Sequence, residues 1–154
     1  MAKPTGTKLI VDNRRARHDY ELLDRYEAGI VLTGTEVKSL REGRATLGQA
    51  YAELRDGEAW LVNASIATYD AGNIANHEPE RPRKLLLHRR ELESLIGKVR
   101  ERGFTLVPTR LYFKDGRAKV EVALARGKER HDKRRDIARR EADRQIERAM
   151  KSRR

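Results

Sequence analysis

No cysteine occurs in the 154 residues of this chain. That absence excludes disulfides, thiolate zinc sites, Cys-ligated iron–sulfur clusters and Cys nucleophiles together. Aromatic residues make up only 5% of the chain, so a core has to be mainly aliphatic. No apolar run approaches the roughly 18 residues that a bilayer span needs. Behind Met1-Ala2-Lys3-Pro4-Thr5-Gly6 no apolar stretch of the secretory-signal kind follows. A cytoplasmic protein with no membrane partner is expected. Enzyme signatures are missing too: there is no Gly-x-Ser-x-Gly, no His-Glu-x-x-His, no P-loop and no dinucleotide fingerprint. The four histidines, His18, His77, His88 and His131, stand without convincing metal-ligand spacing. The expectation is a non-enzyme with no metal and no cofactor. His18 beside Asp19 leaves one catalytic alternative, an RNA hydrolase, but chance supplies such a pair in a chain with 38% charged residues.

What the chain has in excess is positive charge. Lys and Arg number 35 against 24 Asp and Glu, a net of +11. An excess of this size points to a polyanionic partner, because Lys and Arg gain affinity by releasing counterions from phosphates. The excess is uneven. Residues 126–154 hold 13 Lys/Arg and 6 Asp/Glu, a net of +7, which leaves +4 for the remainder. Within that tail Ala138, Ala142, Ile146, Ala149 and Met150 fall on one narrow helical stripe with little apolar area. Such a helix is marginal alone in water. The reading is a tail that is disordered when free and helical when docked. The division expected is a flexible N-terminus over 1–8, a folded unit over 9–128 and a basic tail over 129–154.

The folded part reads as mainly β. Arg17 to Leu32 is a long strand candidate, with Tyr20, Tyr26, Ala28, Ile30 and Leu32 in alternation. Gly29 inside it suggests a bulge or a sharp coil. A helix starts at Thr33-Gly34-Thr35-Glu36, where Thr33 and Glu36 have capping-box spacing and Thr35 is the other candidate cap. Val37 and Leu40 form its buried face and Gly43 ends it. Two Asp-Gly pairs, Asp56-Gly57 and Asp115-Gly116, mark tight hairpins. Pro108 demotes its strand to an edge or a bulge. In the last strand Val120, Val122 and Leu124 face in while Lys119 and Glu121 face out. A helix is expected over about 89–102, with Leu92, Leu95, Ile96 and Val99 at helical spacing and Gly103 as its stop. About six strands with two to three helices, one long helix lying between hairpins, is the pattern of a small closed barrel of the OB type.

Basic residues recur in clusters: Arg14-Arg15-x-Arg17, then Lys38, Arg41 and Arg44, then Arg81, Arg83 and Lys84, then Arg89-Arg90. Tyr20, Tyr26, Tyr51, Tyr69 and His88 are candidates for stacking on unpaired bases. The competing reading makes Tyr20 and Tyr26 half-buried barrel positions. Arg14, Arg17, Lys38 and Arg41 are taken as candidate RNA contacts.

Six strings stand in order: Asn13-Arg14-Arg15-Ala16-Arg17-His18-Asp19-Tyr20, Glu27-Ala28-Gly29, Gly34-Thr35-Glu36-Val37-Lys38-Ser39-Leu40-Arg41, Asp56-Gly57-Glu58-Ala59, Arg83-Lys84-Leu85-Leu86-Leu87 and Gly127-Lys128-x-x-His131-Asp132-Lys133-Arg134. In this order and spacing the chain resembles the SmpB family, the SsrA-binding (tmRNA-binding) proteins of bacteria. The resemblance implies an OB-type barrel that binds the tRNA-like domain of tmRNA and brings it to stalled ribosomes in trans-translation. It implies tmRNA contacts at Glu27, Leu86, His88 and Lys119. It also implies a tail in the empty decoding site of the small-subunit rRNA, with His131, Asp132, Lys133 and Arg134 as its contacts and Met150 at its distal end. Elongation factor Tu and alanyl-tRNA synthetase would then be partners through the tmRNA complex. Two readings of Glu27 stay open, acceptance from a base amino group or 2′-OH and orientation of a nearby Arg. Leu86 is either an apolar shelf or core. The alternative function is a ribosomal or general RNA-binding barrel with a basic extension.

Overall fold

The computed structural model describes residues 6–69, 76–102 and 104–127, and in the tail 141, 144–146 and 148. The chain runs β1 (Thr7–Asp12), α1 (Arg14–Asp19), β2 (Tyr20–Ile30), α2 (Gly34–Arg41), β3 (Ala45–Thr46), β4 (Tyr51–Arg55) and β5 (Glu58–Val62). It continues through β6 (Ser65–Ile66), β7 (Arg83–Leu86), α3 (Arg89–Arg102), β8 (Thr105–Lys114) and β9 (Arg117–Gly127). The first strand begins at Thr7, two residues ahead of the boundary expected at Leu9.

All strand pairs are antiparallel. The main sheet has the order β1-β8-β4-β5-β7-β2-β9, and β9 also pairs with β8. That second pairing closes a ring of six strands. Closure removes the exposed edges that an open sheet would present. One edge of β8 is shared: Leu106 faces Ala52 of β4, while Arg110 to Lys114 carry β1. β3 and β6 form a separate two-stranded ribbon.

Local chemistry explains the turns. Asp56 and Gly57 have φ of 52° and 75°, and Asp115 and Gly116 have 50° and 80°. Paired positive φ angles match the strand twist of a two-residue hairpin. Inside the ring Leu61, Leu106, Leu111, Val120, Val122 and Leu124 pack with Leu40 of α2 and Leu95 of α3. The core is aliphatic, as the low aromatic content requires.

Two expectations need correction, and a third is decided between its alternatives. Arg17 to Asp19 are helical, not strand: α1 is capped by Asn13, whose side chain accepts from the Ala16 N–H at 3.2 Å. The same side chain donates to the carbonyls of Leu47 and Pro108, at 3.2 and 2.8 Å. The bulge in β2 falls between Leu22 and Arg25, not at Gly29. Gly29 instead lets Leu86 approach closely, since a Cβ there would lie 3.3 Å from Leu86 Cβ. Of the two readings of Pro108, the bulge is realised, with the β8–β9 register shifting between Pro108 and Arg110.

Candidate nucleic-acid interface

Alternation along β2 turns Ala28 inward, where it is fully buried, and leaves Glu27 exposed. On β9, Val120 and Val122 are buried, so Lys119 and Glu121 point out. The registers then align the outward positions across four strands. Tyr112 of β8 lies opposite Lys119, Lys119 opposite Gly29, and Gly29 opposite Leu86 of β7. The adjacent row is Arg110, Glu121 and Glu27. Three of the four barrel residues implied by the resemblance, Glu27, Leu86 and Lys119, are thus brought onto one outer face. His88 follows Leu86 by two residues and is exposed at the start of α3, its carbonyl accepting from Leu92 N–H at 2.9 Å.

Leu86 is 53% exposed and Leu85 is 3% exposed. Leu86 therefore lies outside the core and Leu85 within it. Beneath the shelf sits Gly29, so nothing projects between Leu86 and Lys119. Lys119 makes no hydrogen bond or close ion pair among the described residues, and its charge acts on the neighbouring Glu27, whose carboxyl it helps to hold low.

Glu27 is held in place by residues the sequence reading missed. The Tyr112 hydroxyl donates to Glu27 Oε2 at 2.5 Å, and Lys114 Nζ donates to Oε1 at 3.2 Å. The Tyr112 bond, supported by Lys114, holds the Glu27 carboxyl below its ordinary 4.5. An ionised carboxylate only accepts hydrogen bonds. Among the described residues its side-chain partners are Tyr112 and Lys114, and no Arg contacts it. Its neighbour Glu121 is held ionised by different partners. Burial works against its charge, but Arg110 at 3.1 Å and Thr109 at 2.6 Å outweigh that and keep it ionised. Period-2 alternation in β8, with Thr109 and Leu111 buried, marks Arg110, Tyr112 and Lys114 as outward-facing but does not name Glu27 as their partner.

The other basic candidates divide. Lys38 and Arg41 are exposed on α2, at the Ile30 end of β2, and Lys38 Nζ lies 5.5 Å from the centre of the Tyr69 ring. Arg14 and Arg17 are exposed on α1, at the opposite end of β2, and Arg17 is bonded to Asp12 at 2.7 Å. The cluster Arg81, Arg83 and Lys84 is not a free basic patch. Arg83 is fully buried, with Nε 2.5 Å from Glu36 Oε2, and Arg81 donates to Glu36 Oε1 at 2.6 Å. Glu36 also accepts from the Thr33 N–H at 2.8 Å, the capping-box bond. Its burial opposes ionisation, yet the two guanidinium groups and that N–H hold its carboxyl below the ordinary 4.5. This buried triad fastens α2, and so Lys38 and Arg41, to the strand β7 that carries Leu86.

Tyr20 is half-buried against Ala16, Val107 and Ala125, and Tyr26 is half-buried at the main core. His18 Nδ1 is 3.0 Å from Asp19 Oδ1 on an exposed helix. Among the described residues no three potential ligands gather as a metal site, and no helix is long and apolar enough to cross a membrane. His131, Asp132, Lys133, Arg134 and Met150 lie outside the described residues. Residues 144–146, in the tail, are helical and exposed, Ile146 among them.

Comparison with known proteins agrees over nearly the whole length. The family model described as "SmpB protein" matches residues 10–152. An SsrA-binding protein of Acidothermus cellulolyticus is 61% identical over 150 residues, covering 97% of this chain and 94% of that protein. One from Thermobifida fusca is 61% identical over 152 residues, covering 99% and 95%. One from Mycolicibacterium smegmatis is 58% identical over 146 residues, covering 95% and 91%. Among solved structures, a chain from the work described as "tmRNA-SmpB: a journey to the center of the bacterial ribosome" is 53% identical. It superposes with a TM-score of 0.67 over 82% of this chain and 93% of that one. With the barrel, the exposed face and these matches in hand, the chain belongs to the SmpB family.

Proposed function

We propose that this chain binds tmRNA, the SsrA RNA, and carries it to stalled ribosomes for the tagging and release of incomplete proteins. The observation that carries this reading is the continuous row Tyr112, Lys119, Gly29 and Leu86, with the fixed carboxylate of Glu27 beside it. An unpaired ammonium supplies a phosphate contact. An exposed Leu over a Gly-bounded hollow supplies an apolar surface for a sugar or base. A fixed acceptor selects a 2′-OH or a base amino group. Folded RNA offers these features at loops and elbows, whereas its helical major groove is too deep and narrow to read. His88, Lys38 and Arg41 flank this face and extend it.

The tail enters the empty decoding site, where His131, Asp132, Lys133 and Arg134 contact small-subunit rRNA and Met150 lies at the distal end. The protein itself catalyses no reaction and works in the cytoplasm. Elongation factor Tu and alanyl-tRNA synthetase are reached through the RNA. The test is affinity purification of the intact chain from cells, followed by sequencing of the bound RNA. Enrichment of tmRNA over total tRNA and rRNA is expected. Recovery of rRNA alone would favour a constitutive ribosomal protein and reject this reading.

A further inference from the structure

The chain has a single Trp, and it is not in the core. Ala59 and Leu61 are buried, so alternation along β5 turns Glu58, Trp60 and Val62 outward. On β4 the buried Ala52 likewise leaves Tyr51 and Glu53 on the outer face, with Arg55 next in the alternation. The register sets these side chains in three rows: Tyr51 opposite Val62, Glu53 opposite Trp60, and Arg55 opposite Glu58. Together with Pro82 and the turn residue Asp56 they line a groove of about 390 Å³.

The groove is graded along its length. The row of Tyr51 and Val62 is apolar, Trp60 offers a ring in the middle, and Glu58 and Asp56 make the hairpin end acidic. Two cations serve its three carboxylates. Arg55 is paired with Glu53 at 2.9 Å, and Lys84 of β7 with Glu58 at 3.1 Å. Asp56 makes no hydrogen bond or ion pair among the described residues. The Trp60 indole N–H and the Tyr51 hydroxyl also have no hydrogen-bond partner there. In a chain of net +11, the outer face of this hairpin is therefore locally negative. Such a face opposes a phosphate backbone and attracts a cation.

The spacing selects the form of that cation. Alternate side chains of an extended segment are about 6.8 Å apart, and so are successive outward rows of a strand. A segment lying along β5 therefore places one side chain against Tyr51 and Val62 and the next but one against Trp60. Arg suits the second place: its planar guanidinium stacks on an indole ring and pairs with a carboxylate. We propose that this groove docks an extended segment of a partner protein, carrying an apolar side chain and, two residues on, an Arg that covers Trp60 and reaches Asp56. The surface is separate in charge from the row of Lys119, Gly29 and Leu86, and the proposal does not depend on which RNA that row binds. It does adjoin that row, since Trp60 lies opposite Lys84 and Lys84 is two residues from Leu86 on β7.

The single Trp is its own reporter. The full-length chain is titrated with a capped synthetic peptide of repeating Leu-Ser-Arg-Ser, with the same peptide carrying uncharged citrulline for Arg, and with oligouridylate, and Trp60 emission is read. The Arg peptide should change the emission saturably, and the citrulline peptide should bind about tenfold more weakly. Asp56→Asn keeps the turn, because Asn accepts the positive φ of 52° found there. It should weaken the Arg peptide about three- to tenfold and leave the citrulline peptide unchanged. No saturable response to the Arg peptide would overturn the proposal. Equal responses to the two peptides, or an Arg-peptide affinity untouched by Asp56→Asn, would overturn the Arg assignment and reduce the groove to an apolar surface. A response to oligouridylate in place of peptide would make it an RNA surface. A dimer of the chain alone, dissolved by Trp60→Ala, would make a second copy the occupant and overturn the proposal as well.

Discussion

Tyr112 reaches from β8 across the whole width of β9 to donate to Glu27 of β2, at 2.5 Å. The bond fixes an exposed acidic side chain that would otherwise sample many rotamers. Ordering a Glu side chain costs on the order of 1.5–2 kcal/mol. A ligand that meets Glu27 already ordered does not incur that cost. Burial, then the bond to Glu27, pushes the Tyr112 phenol above its ordinary 10.0, so it remains a donor at neutral pH.

Tyr112→Phe keeps the ring and removes the donor. Its tmRNA affinity should fall about three- to tenfold, the worth of one immobilised side chain. The Glu27 carboxyl should titrate closer to 4.5, because the largest cause of its depression is gone. Side-chain carboxyl NMR through a pH series reads the second effect. A double-mutant cycle with Glu27→Gln should be strongly non-additive. Additive losses would mean that the two residues act independently.

Lys119 is expected to act as a phosphate contact, and salt dependence isolates that role. Each phosphate contact adds about 0.7–0.9 to the slope of log affinity against log salt. Lys119→Ala should lower the slope by about that amount, and Lys119→Glu should weaken binding further. Filter binding of tmRNA at several salt concentrations measures both. Parallel curves for wild type and Lys119→Ala would remove Lys119 from the RNA face.

Legibility in the sequence followed the range of the interaction. The two hairpins, the Thr33–Glu36 cap and the in–out alternation of β9 are decided by neighbouring residues, and the chain states them openly. Helix α1 is different. Its six residues bury only Ala16, and its cap Asn13 is fixed by carbonyls 34 and 95 residues away. No local period announces such a helix. Arg83 reads as one more surface cation because its partner Glu36 is 47 residues distant. Tyr112 escaped for the same reason, its partner Glu27 lying 85 residues away. The face formed by Glu27, Leu86 and Lys119 emerges only from register, which sequence alternation does not specify.

The Glu36–Arg81–Arg83 triad should govern acid stability. The folded-state carboxyl of Glu36 lies below its ordinary 4.5. Its contribution is therefore complete above about pH 4.5, and it is lost as pH falls through the folded-state value. Glu36→Gln leaves Arg83 buried without a counter-charge, and breaking one half of a buried pair costs about 3–5 kcal/mol. Urea unfolding at pH 7 should show that loss, and the gap between variant and wild type should narrow below pH 4.5. A variant as stable as wild type at pH 7 would show that the triad does not hold α2 in place.

Removal of residues 129–154 separates the two activities of the chain. The barrel closes at Gly127, where β9 is still paired with Tyr20, so the truncated protein retains every strand. Its Glu27–Lys119–Leu86 face is untouched, and its affinity for tmRNA at moderate salt should stay within a few-fold of the full chain. A modest loss is expected because nearly half of the chain's net positive charge, +5 of +11, leaves with residues 129–154, and long-range attraction adds to any polyanion contact. Tagging of stalled products should be abolished, since the residues assigned to the decoding site go with the tail. Raising the concentration of truncated complex distinguishes the two contributions. Restored tagging at high concentration would make the tail a source of affinity only, while tagging that stays absent at saturation would make it an obligatory occupant of the decoding site, which is the outcome expected here.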